Sequence, residues 1–299
     1  PAPVDGQEAV VNLVALSPLF EPKGGNVMHD RIHRAGTENL VRAAESADVD
    51  RFVQLSALGA DPNGDTAYIR AKGAAERIVE ASDLDWTVFR PSVVFGEGGE
   101  FVSFTKRLKK LFAPLVPLYP LPGGGKTRFQ PIHVDDLVSM IVESLEADEH
   151  IGAIYEIGGP ERLTLRAVTQ LVYEAERNGV TIVPLPMPLA RIGLGVLGAV
   201  PGFPMGSDQY RSLQFDNTTD DNDVDAFGID AAVPTTPGAS PAGCRRRRLR
   251  PARASRLRPQ SRAPRQCHQL RPGRRRRCRP ASVRPPLDRC RDRAPSQPR

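Results

Sequence analysis

The sequence predicts an α/β fold built on a parallel sheet, and the clearest signal lies in the first third of the chain. Arg51–Ser56 is a short apolar run rich in β-forming residues, and Asp85–Arg90 is a second such run that Pro91 ends. Between them, Thr66–Ser82 places apolar residues at helical spacing. A strand, a helix and a strand in this order are typical of sheets whose neighbouring strands run parallel.

The same reasoning assigns the remaining elements. Apolar runs predict strands, and amphipathic stretches with capping residues predict helices. We expect strands at Val11–Ala15, Ala153–Ile157 and Val180–Pro184, and helices at Asn26–Ala47, Phe101–Phe112, Pro131–Leu145 and Leu163–Asn178. In the last two helices, the Asp135–Asp136 pair and Thr164 are the expected N-terminal caps.

Tyr68 and Lys72 are the candidate catalytic residues of the helix at Thr66–Ser82. They are four residues apart, so both side chains project from one face of the helix. A neighbouring ammonium favours the phenolate form of a tyrosine, which suits the pair to proton transfer. Ser56 lies at the carboxyl end of the preceding strand, where open α/β sheets place their ligands. The alternative interpretation is an exposed Tyr–Lys pair on a solvated helix face.

The charge of the chain is divided between an acidic body and a basic tail. From Cys244 to Arg299 there are 21 Arg, no Lys, no Glu and two Asp, which is a net charge of +19. Since the whole chain carries +6, residues 1–243 carry −13. An Asp-rich body of this kind suits a salt-rich cytoplasm, so we expect a halophile protein. The tail has too few large apolar residues to fold. A GC-rich coding strand read in a shifted frame yields such a composition, so we expect a frameshifted C-terminus, and the alternative is a functional tail.

The sequence also bears on three further kinds of function: nucleic-acid binding, metal binding and membrane insertion. If expressed, the tail would bind nucleic acids through counterion release and without sequence preference. All four cysteines lie in the tail and form no Cys-x-x-Cys pair, while His29 and His33 lack a third ligand and are expected at a solvated helix start. We therefore expect no metal site. No run reaches the roughly 20 apolar residues of a membrane helix, so no membrane span is expected.

Seven segments occur in the order seen in the short-chain dehydrogenase/reductase superfamily. They are VNLVA (11–15), GTENLVRAAE (36–45), RFVQLSA (51–57), YIRAK (68–72), LDWTVFRPSVVFG (84–96), PIHVDDL (131–137) and YEIGGPERLT (155–164). Together they resemble the extended and atypical branch of this superfamily, which includes the NAD(P)-binding 39-kDa subunit of respiratory complex I and the NADH dehydrogenase 32K-like proteins. The resemblance covers roughly residues 7–230.

The resemblance implies an NAD- or NADP-binding protein with a small-molecule substrate and a redox or epimerase activity. It implies that Tyr68 donates or accepts a proton, that Lys72 holds the ribose hydroxyls and that Ser56 binds the substrate oxygen. The expected cofactor contacts are Leu13, Val14, Ala15, Tyr68, Lys72, Pro91, Ser92 and Val93. Superfamily members commonly have a serine pair where this chain has Ser56-Ala57, which leaves the position of the catalytic serine open. Because the complex I relatives bind the nucleotide for structure, the alternative is a non-catalytic accessory subunit of a respiratory NADH dehydrogenase.

The resemblance also divides the chain into three parts. Residues 1–160 are expected to form a partial, doubly wound NAD(P)-binding domain of the Rossmann type, with lobe insertions from about 96 to 130. Residues 161–230 are expected to form a small C-terminal substrate lobe, and residues 231–299 a disordered Arg/Pro-rich tail.

The glycine-rich turn of such domains is not found where the resemblance requires it. VNLVA corresponds to the fourth strand of the family sheet, so we expect an N-terminal truncation that removes the first strands and their glycine-rich turn. The one literal G-x-G-x-x-G, at Gly193–Gly198, follows a proline-rich loop and fails the required context. We therefore expect weak or no cofactor binding by this chain, and a location in the cytoplasm or peripheral to a membrane.

Overall fold

The computed structural model describes residues 4–19, 22–96, 99, 118–175, 181–186, 188–189, 207–212 and 214–229, which contain both strands and helices. The strands are β1 (Ala9–Asn12), β2 (Arg51–Leu55), β3 (Asp85–Pro91), β4 (Val94–Phe95), β5 (Leu118–Pro122), β6 (Arg128–Phe129), β7 (Ile132–His133), β8 (Ala153–Ile157), β9 (Leu163–Thr164) and β10 (Thr181–Leu185). The helices are α1 (Val27–His29), α2 (Gly36–Ser46), α3 (Ala67–Glu80), α4 (Val134–Glu146), α5 (Leu165–Ala175) and α6 (Ser207–Ser212).

Four of the strands form the main sheet, in the order β1-β2-β3-β8. All neighbouring strands run parallel, and Arg51 of β2 pairs with Ala9 on one side and with Asp85 on the other. Because the strands are parallel, their carboxyl ends lie at one edge of the sheet, where ligands bind in open α/β folds. The predicted α/β class and its parallel sheet are confirmed, and strands β2 and β3 differ from the prediction by one residue at their carboxyl ends.

The sheet is buried on both faces, and successive side chains of β2 point to opposite sides. Phe52 is fully buried in a cluster with Val79 of α3, on the face that α2 and α3 cover. The next residue, Val53, is fully buried in a second cluster with Met140 of α4 and Phe227. This two-residue period is the pattern that a strand buried on both faces requires. The core therefore consists of two apolar layers with the sheet between them.

The helical stretch after β1 contains a feature that the sequence did not predict. Between α1 and α2, the six residues Asp30–Ala35 form π-helical turns, so the chain is helical from Val27 to Ser46. Such turns are rare and occur frequently at functional sites. The expected solvated helix start is wrong, since His29 and His33 are only 1% and 2% exposed. Helix α3 packs against them and removes both imidazoles from water.

The predicted N-terminal cap of α4 is wrong, and the predicted cap of α5 is confirmed. At α4 the cap is His133, because its Nδ1 accepts a hydrogen bond from the Asp135 N–H at 3.2 Å. Asp135 and Asp136 lie in the first turn instead, where negative charge interacts favourably with the helix dipole. At α5 the Thr164 hydroxyl accepts a hydrogen bond from the Ala167 N–H at 3.1 Å, as predicted.

A smaller core lies around strands β5 and β10, which pair in parallel. Tyr119 of β5 and Ile182 of β10 are buried with Tyr173 of α5 in one apolar cluster. A strand from the expected lobe insertion thus packs with residues of the expected C-terminal lobe. The domain boundaries at 160 and 230 stay a prediction.

Three sequence features fall outside the described residues: the helix predicted at Phe101–Phe112, the glycine motif at Gly193–Gly198 and the arginine-rich tail. Nucleic-acid binding by the tail therefore stays a prediction. Among the described helices, none combines the length and the apolar character that crossing a membrane requires.

Candidate functional site

Helix α3 carries both candidate catalytic residues, and two contacts fix its first turn. The Thr66 hydroxyl accepts a hydrogen bond from the Ile69 N–H at 3.3 Å and caps the helix. The Asp208 carboxylate of α6 accepts a hydrogen bond from the Ala67 N–H at 2.8 Å. A carboxylate at this end also interacts favourably with the positive pole of the helix dipole. Asp208 lies 141 residues further along the chain, so sequence spacing gave no sign of this contact.

Lys72 is buried beneath the site, at the carboxyl end of β2. Its residue is 1% exposed, and Nζ donates a hydrogen bond to the Leu55 carbonyl at 2.8 Å. Burial lowers the pKa of Lys72 to about 8, although the nearby carboxylate of Glu76 opposes this shift. Nζ lies 5.9 Å from the centroid of the Tyr68 ring, so the predicted pair is brought together.

Ser56 directly follows Leu55, whose carbonyl accepts the hydrogen bond from Lys72. Its N–H donates to the Phe89 carbonyl at 2.7 Å, which fixes the backbone between strands β2 and β3. The residue is 4% exposed, and Oγ is buried without a hydrogen-bond partner among the described residues. A buried hydroxyl left unpaired costs free energy, and a ligand oxygen at the carboxyl edge of the sheet would remove that cost.

The ring of Tyr68 lies against two imidazoles from the π-helical stretch. The Tyr68 centroid is 5.6 Å from that of His29 and 5.4 Å from that of His33, with the rings nearly perpendicular. The two imidazoles stack on each other at 5.7 Å. Edge-to-face contacts of this kind are favourable and restrict the orientation of the tyrosine ring. The contact was not predicted from the sequence, where the spacing of four residues between the histidines was the one available signal.

His33 is held neutral by its surroundings. Burial lowers its pKa to about 3, and the positive charge of Lys72 and the neighbouring His29 add to this effect. Burial also lowers the pKa of His29, while Asp208 acts in the opposite direction. His33 Nε2 accepts a hydrogen bond from the Leu16 N–H at 3.3 Å, which leaves Nδ1 to carry the proton. Nδ1 of His29 and Nδ1 of His33 both lack a hydrogen-bond partner in the described part of the chain.

The residues after β1 present an apolar surface at the same edge. Leu13 and Val14 are 53% and 57% exposed, and Ala15 is exposed beside them. Their backbone is fixed by Asn12, whose Oδ1 accepts from the Val14 N–H at 3.2 Å and whose Nδ2 donates to Gln54 at 2.9 Å. Exposed apolar side chains beside a buried polar network suit the flat face of a ligand.

The loop after β3 holds its predicted residues in different environments. Pro91 and Ser92 are buried and Val93 is half-buried. Ser92 Oγ lies 2.6 Å from the side-chain oxygen of Asn217 and accepts a hydrogen bond from the Gln130 N–H at 3.2 Å. The hydroxyl therefore ties this loop to the segment near residue 217. A cofactor contact from Ser92 would come from its backbone.

An ion pair that the sequence did not predict secures α3 against β3. Glu76, one turn from Lys72, is 2% exposed and accepts two hydrogen bonds from the Arg90 guanidinium, at 3.0 and 2.6 Å. Such a two-pronged contact fixes both position and orientation. The surrounding carboxylates raise the pKa of Arg90, with Glu76 making the largest contribution. The pair holds the helix that carries Lys72 against the strand that ends at Pro91.

The arrangement can transfer a proton and orient a polar ligand. It places a tyrosine, a buried amine and an unpartnered hydroxyl around the end of β2. The exposed apolar residues after β1 lie at the same edge of the sheet. These groups suit a dinucleotide whose reacting ring lies over an apolar surface and whose hydroxyls meet Lys72.

Comparison with known proteins supports NAD(P) binding. Residues 2–111 match the family model described as NAD(P)H-binding. Subunit 9 of the 1 alpha subcomplex of mitochondrial NADH dehydrogenase (ubiquinone) from Arabidopsis thaliana is 31% identical over 224 residues, which are 71% of this chain and 54% of the relative. The mitochondrial NADH-ubiquinone oxidoreductase 40 kDa subunit of Neurospora crassa is 25% identical, covering 69% of this chain and 54% of that protein. The chain thus spans about half the length of these curated relatives.

The fold also matches solved structures. MoeE5 in complex with UDP-glucuronic acid and NAD superposes with a TM-score of 0.52 at 19% identity, over 72% of this chain and 76% of that one. At this identity the match concerns the fold. Residues 2–111 thus match the NAD(P)H-binding family, and the NADH dehydrogenase subunits named above are homologues of this chain.

Proposed function

We propose that Tyr68, Lys72 and Ser56 form the reacting end of a dinucleotide site, and that the activity of the protein is a redox or epimerase step on a small molecule. The observation that carries this proposal is the position of Lys72. Its amine donates a hydrogen bond to the carbonyl of Leu55, the residue before Ser56, and lies 5.9 Å from the centroid of the Tyr68 ring. The three groups thus lie around one strand end, at the edge where such sheets bind ligands.

Each residue has a distinct part in this proposal. Tyr68 accepts the proton of a substrate hydroxyl when the substrate is oxidised, and returns it when a carbonyl is reduced. Lys72 stabilises the phenolate, and two of its three N–H donors remain for ribose hydroxyls beyond the bond to Leu55. Ser56 donates a hydrogen bond from its hydroxyl to the substrate oxygen. A bound NAD(P) would supply or accept the hydride.

His29 and His33 act on this site by positioning Tyr68. Both rings are buried against the tyrosine, and they restrict its side chain to the orientation seen here. Because the pKa of His33 is lowered to about 3, the imidazole adds no positive charge beside Lys72 at neutral pH. The charge of Lys72 therefore acts on Tyr68 without competition from a second cation.

The test is a titration with NADPH and NADH, carried to a large excess of cofactor because binding is expected to be weak, and followed by cofactor fluorescence. Lys72→Met removes the ammonium at nearly constant side-chain length, and Arg77→Met removes a positive charge from an exposed position on the same helix. A hydrogen bond to a charged group contributes about 1.5–3 kcal/mol, so the first change should weaken binding at least about tenfold. The control should bind as the wild type does. Equal affinities for all three proteins would overturn the proposal.

A second function, favoured by the relatives, is that of an accessory subunit of a respiratory NADH dehydrogenase. Both relatives reported above are named as parts of such an enzyme. In this case the chain binds the nucleotide for structure and lies peripheral to the membrane, on the cytoplasmic side. Tyr68→Phe separates the two functions, because it removes the proton-transferring hydroxyl and keeps the ring. Loss of turnover with retained cofactor binding supports the enzyme, whereas co-purification with NADH dehydrogenase subunits and unchanged respiration in the variant support the accessory subunit.

A further inference from the structure

His150 is a buried histidine outside the candidate site, in the turn between α4 and β8. It is 2% exposed, and its ring stacks on that of Phe227 at 4.6 Å between centroids. Its carbonyl accepts a hydrogen bond from the Thr87 hydroxyl at 2.7 Å, which fixes the backbone against β3. Ring and backbone are therefore both held in place.

The two ring nitrogens of His150 have different surroundings. Nδ1 lies 2.8 Å from the Tyr155 hydroxyl and shares a hydrogen bond with it. Nε2 is buried and has no hydrogen-bond partner among the described residues. When Nδ1–H donates to the tyrosine oxygen, Nε2 presents a lone pair, which is the state of a histidine that binds a metal.

Two carboxylates face this unpartnered nitrogen. Glu149 Oε1 lies 3.9 Å from Nε2, and Glu143 Oε1 lies 4.0 Å from it. These separations are too long for hydrogen bonds. The three ligand atoms lie within 4.8 Å of one another, so one ion between them could contact all three.

We propose that His150, Glu143 and Glu149 bind a divalent transition-metal ion, for which zinc is the best match. An imidazole nitrogen with two carboxylate oxygens is a donor set that zinc accepts, and calcium or magnesium would favour oxygen ligands alone. Ligand atoms around tetrahedral zinc lie about 3.3 Å apart, so the site must contract by roughly 1 Å. The glutamates supply this movement, since their side chains are 43% and 75% exposed while the histidine stays fixed.

The site lies before β8, whereas Tyr68 and Lys72 lie at the carboxyl edge of the same parallel sheet. An ion here would connect the last turns of α4 to the turn that leads into β8. It would therefore stabilise the fold and take no part in proton transfer. Because such an ion would bind the folded chain and not the unfolded one, the melting temperature should rise as the ion concentration increases.

The experiment is a calorimetric titration of the full chain with Zn²⁺. The four cysteines of the tail are alkylated first, because thiolates also bind zinc. Glu143→Gln and Glu149→Gln each remove one charged ligand and leave the buried histidine intact. Glu146→Gln makes the same change at an exposed position of α4 and is the matched control.

We expect one equivalent of zinc to bind the alkylated wild-type chain and to raise its melting temperature. Each ligand variant should bind about tenfold more weakly or worse, and the control should stay within about twofold of the wild type. The double variant Glu143→Gln/Glu149→Gln should lose the melting-temperature increase. Absence of binding by the alkylated wild type, or wild-type affinity in the double variant, would overturn the proposal.

Discussion

Lowering the pH from 8 to 5 is expected to remove about 2 kcal/mol of folding stability through His33 alone. The folded chain keeps this imidazole neutral, with a pKa lowered from 6.5 to about 3 by burial, Lys72 and His29. In the unfolded chain the imidazole returns to its ordinary pKa. Between these two pKa values the unfolded state binds more protons than the folded state, so the contribution is complete above about pH 6.5 and is lost as the pH falls towards 3.

The magnitude follows from the fraction of unfolded chain that is protonated. At pH 5 the unfolded imidazole is almost fully charged, and its protonation lowers the free energy of the unfolded state by about 2 kcal/mol. Protonation lowers the free energy of the folded state by almost nothing at pH 5, because the folded pKa is about 3. His29, whose pKa is also lowered, acts in the same direction.

The assay is urea unfolding at pH 8, 6.5 and 5, followed by the fluorescence of Trp86, the single tryptophan. The reference protein is His33→Gln, because glutamine cannot titrate and its oxygen can still accept the Leu16 N–H. Other ionisable groups contribute equally to both proteins, so the difference in their pH dependence isolates His33. The same pH dependence in both would refute the reasoning. If the variant does not fold, the pKa of His33 is read from an NMR titration of the wild type. A pKa near 6.5 would then refute the reasoning.

Two further changes test how helix α3 is held. Glu76→Gln should lower the free energy of unfolding by about 3 kcal/mol, because it removes the two-pronged partner of a partly buried guanidinium and leaves it with Glu156 at 3.7 Å. Glu80→Gln, on the same helix but in a more exposed pair, should cost under about 1 kcal/mol, and equal effects in urea unfolding would contradict this. Gly73→Ala should destabilise the chain by about 1–2 kcal/mol, because a Cβ there would lie 2.4 Å from the Asp61–Pro62 backbone. Gly36→Ala should stabilise the chain, since a Cβ there would meet no atom closer than 3.9 Å. A rise of the melting temperature in both variants would refute the packing argument.

Local patterns in the sequence predicted the sheet and the position of the candidate catalytic pair. Strands such as β2 and β3 are apolar because both faces of the sheet are covered, so their composition alone identifies them. Tyr68 and Lys72 share a helix, and their spacing fixes which face they share. These predictions needed no knowledge of distant contacts.

The interactions that support the site depend on residues far apart in sequence. The burial of His29 and His33 follows from the packing of α3, and a spacing of four residues is equally compatible with a solvated face. Asp208 meets the first turn of α3 from 141 residues away, and Asn217 meets Ser92 from 125 residues away. Helical periodicity cannot report such contacts, because it describes one element at a time.

The most direct measurement of the central claim is an NMR titration of the chain with a large excess of NADPH, using isotope-labelled tyrosine rings. Chemical-shift changes report weak binding as well as tight binding, so the expected low affinity does not prevent the measurement. The chain has five tyrosines, which therefore report on different parts of the molecule in one spectrum. If the nicotinamide end of the cofactor lies at the carboxyl edge of the sheet, the Tyr68 signals should shift, while those of Tyr119 and Tyr155, which lie in other clusters, should stay in place. Shifts at Tyr119 or Tyr155 with an unchanged Tyr68 would contradict the account.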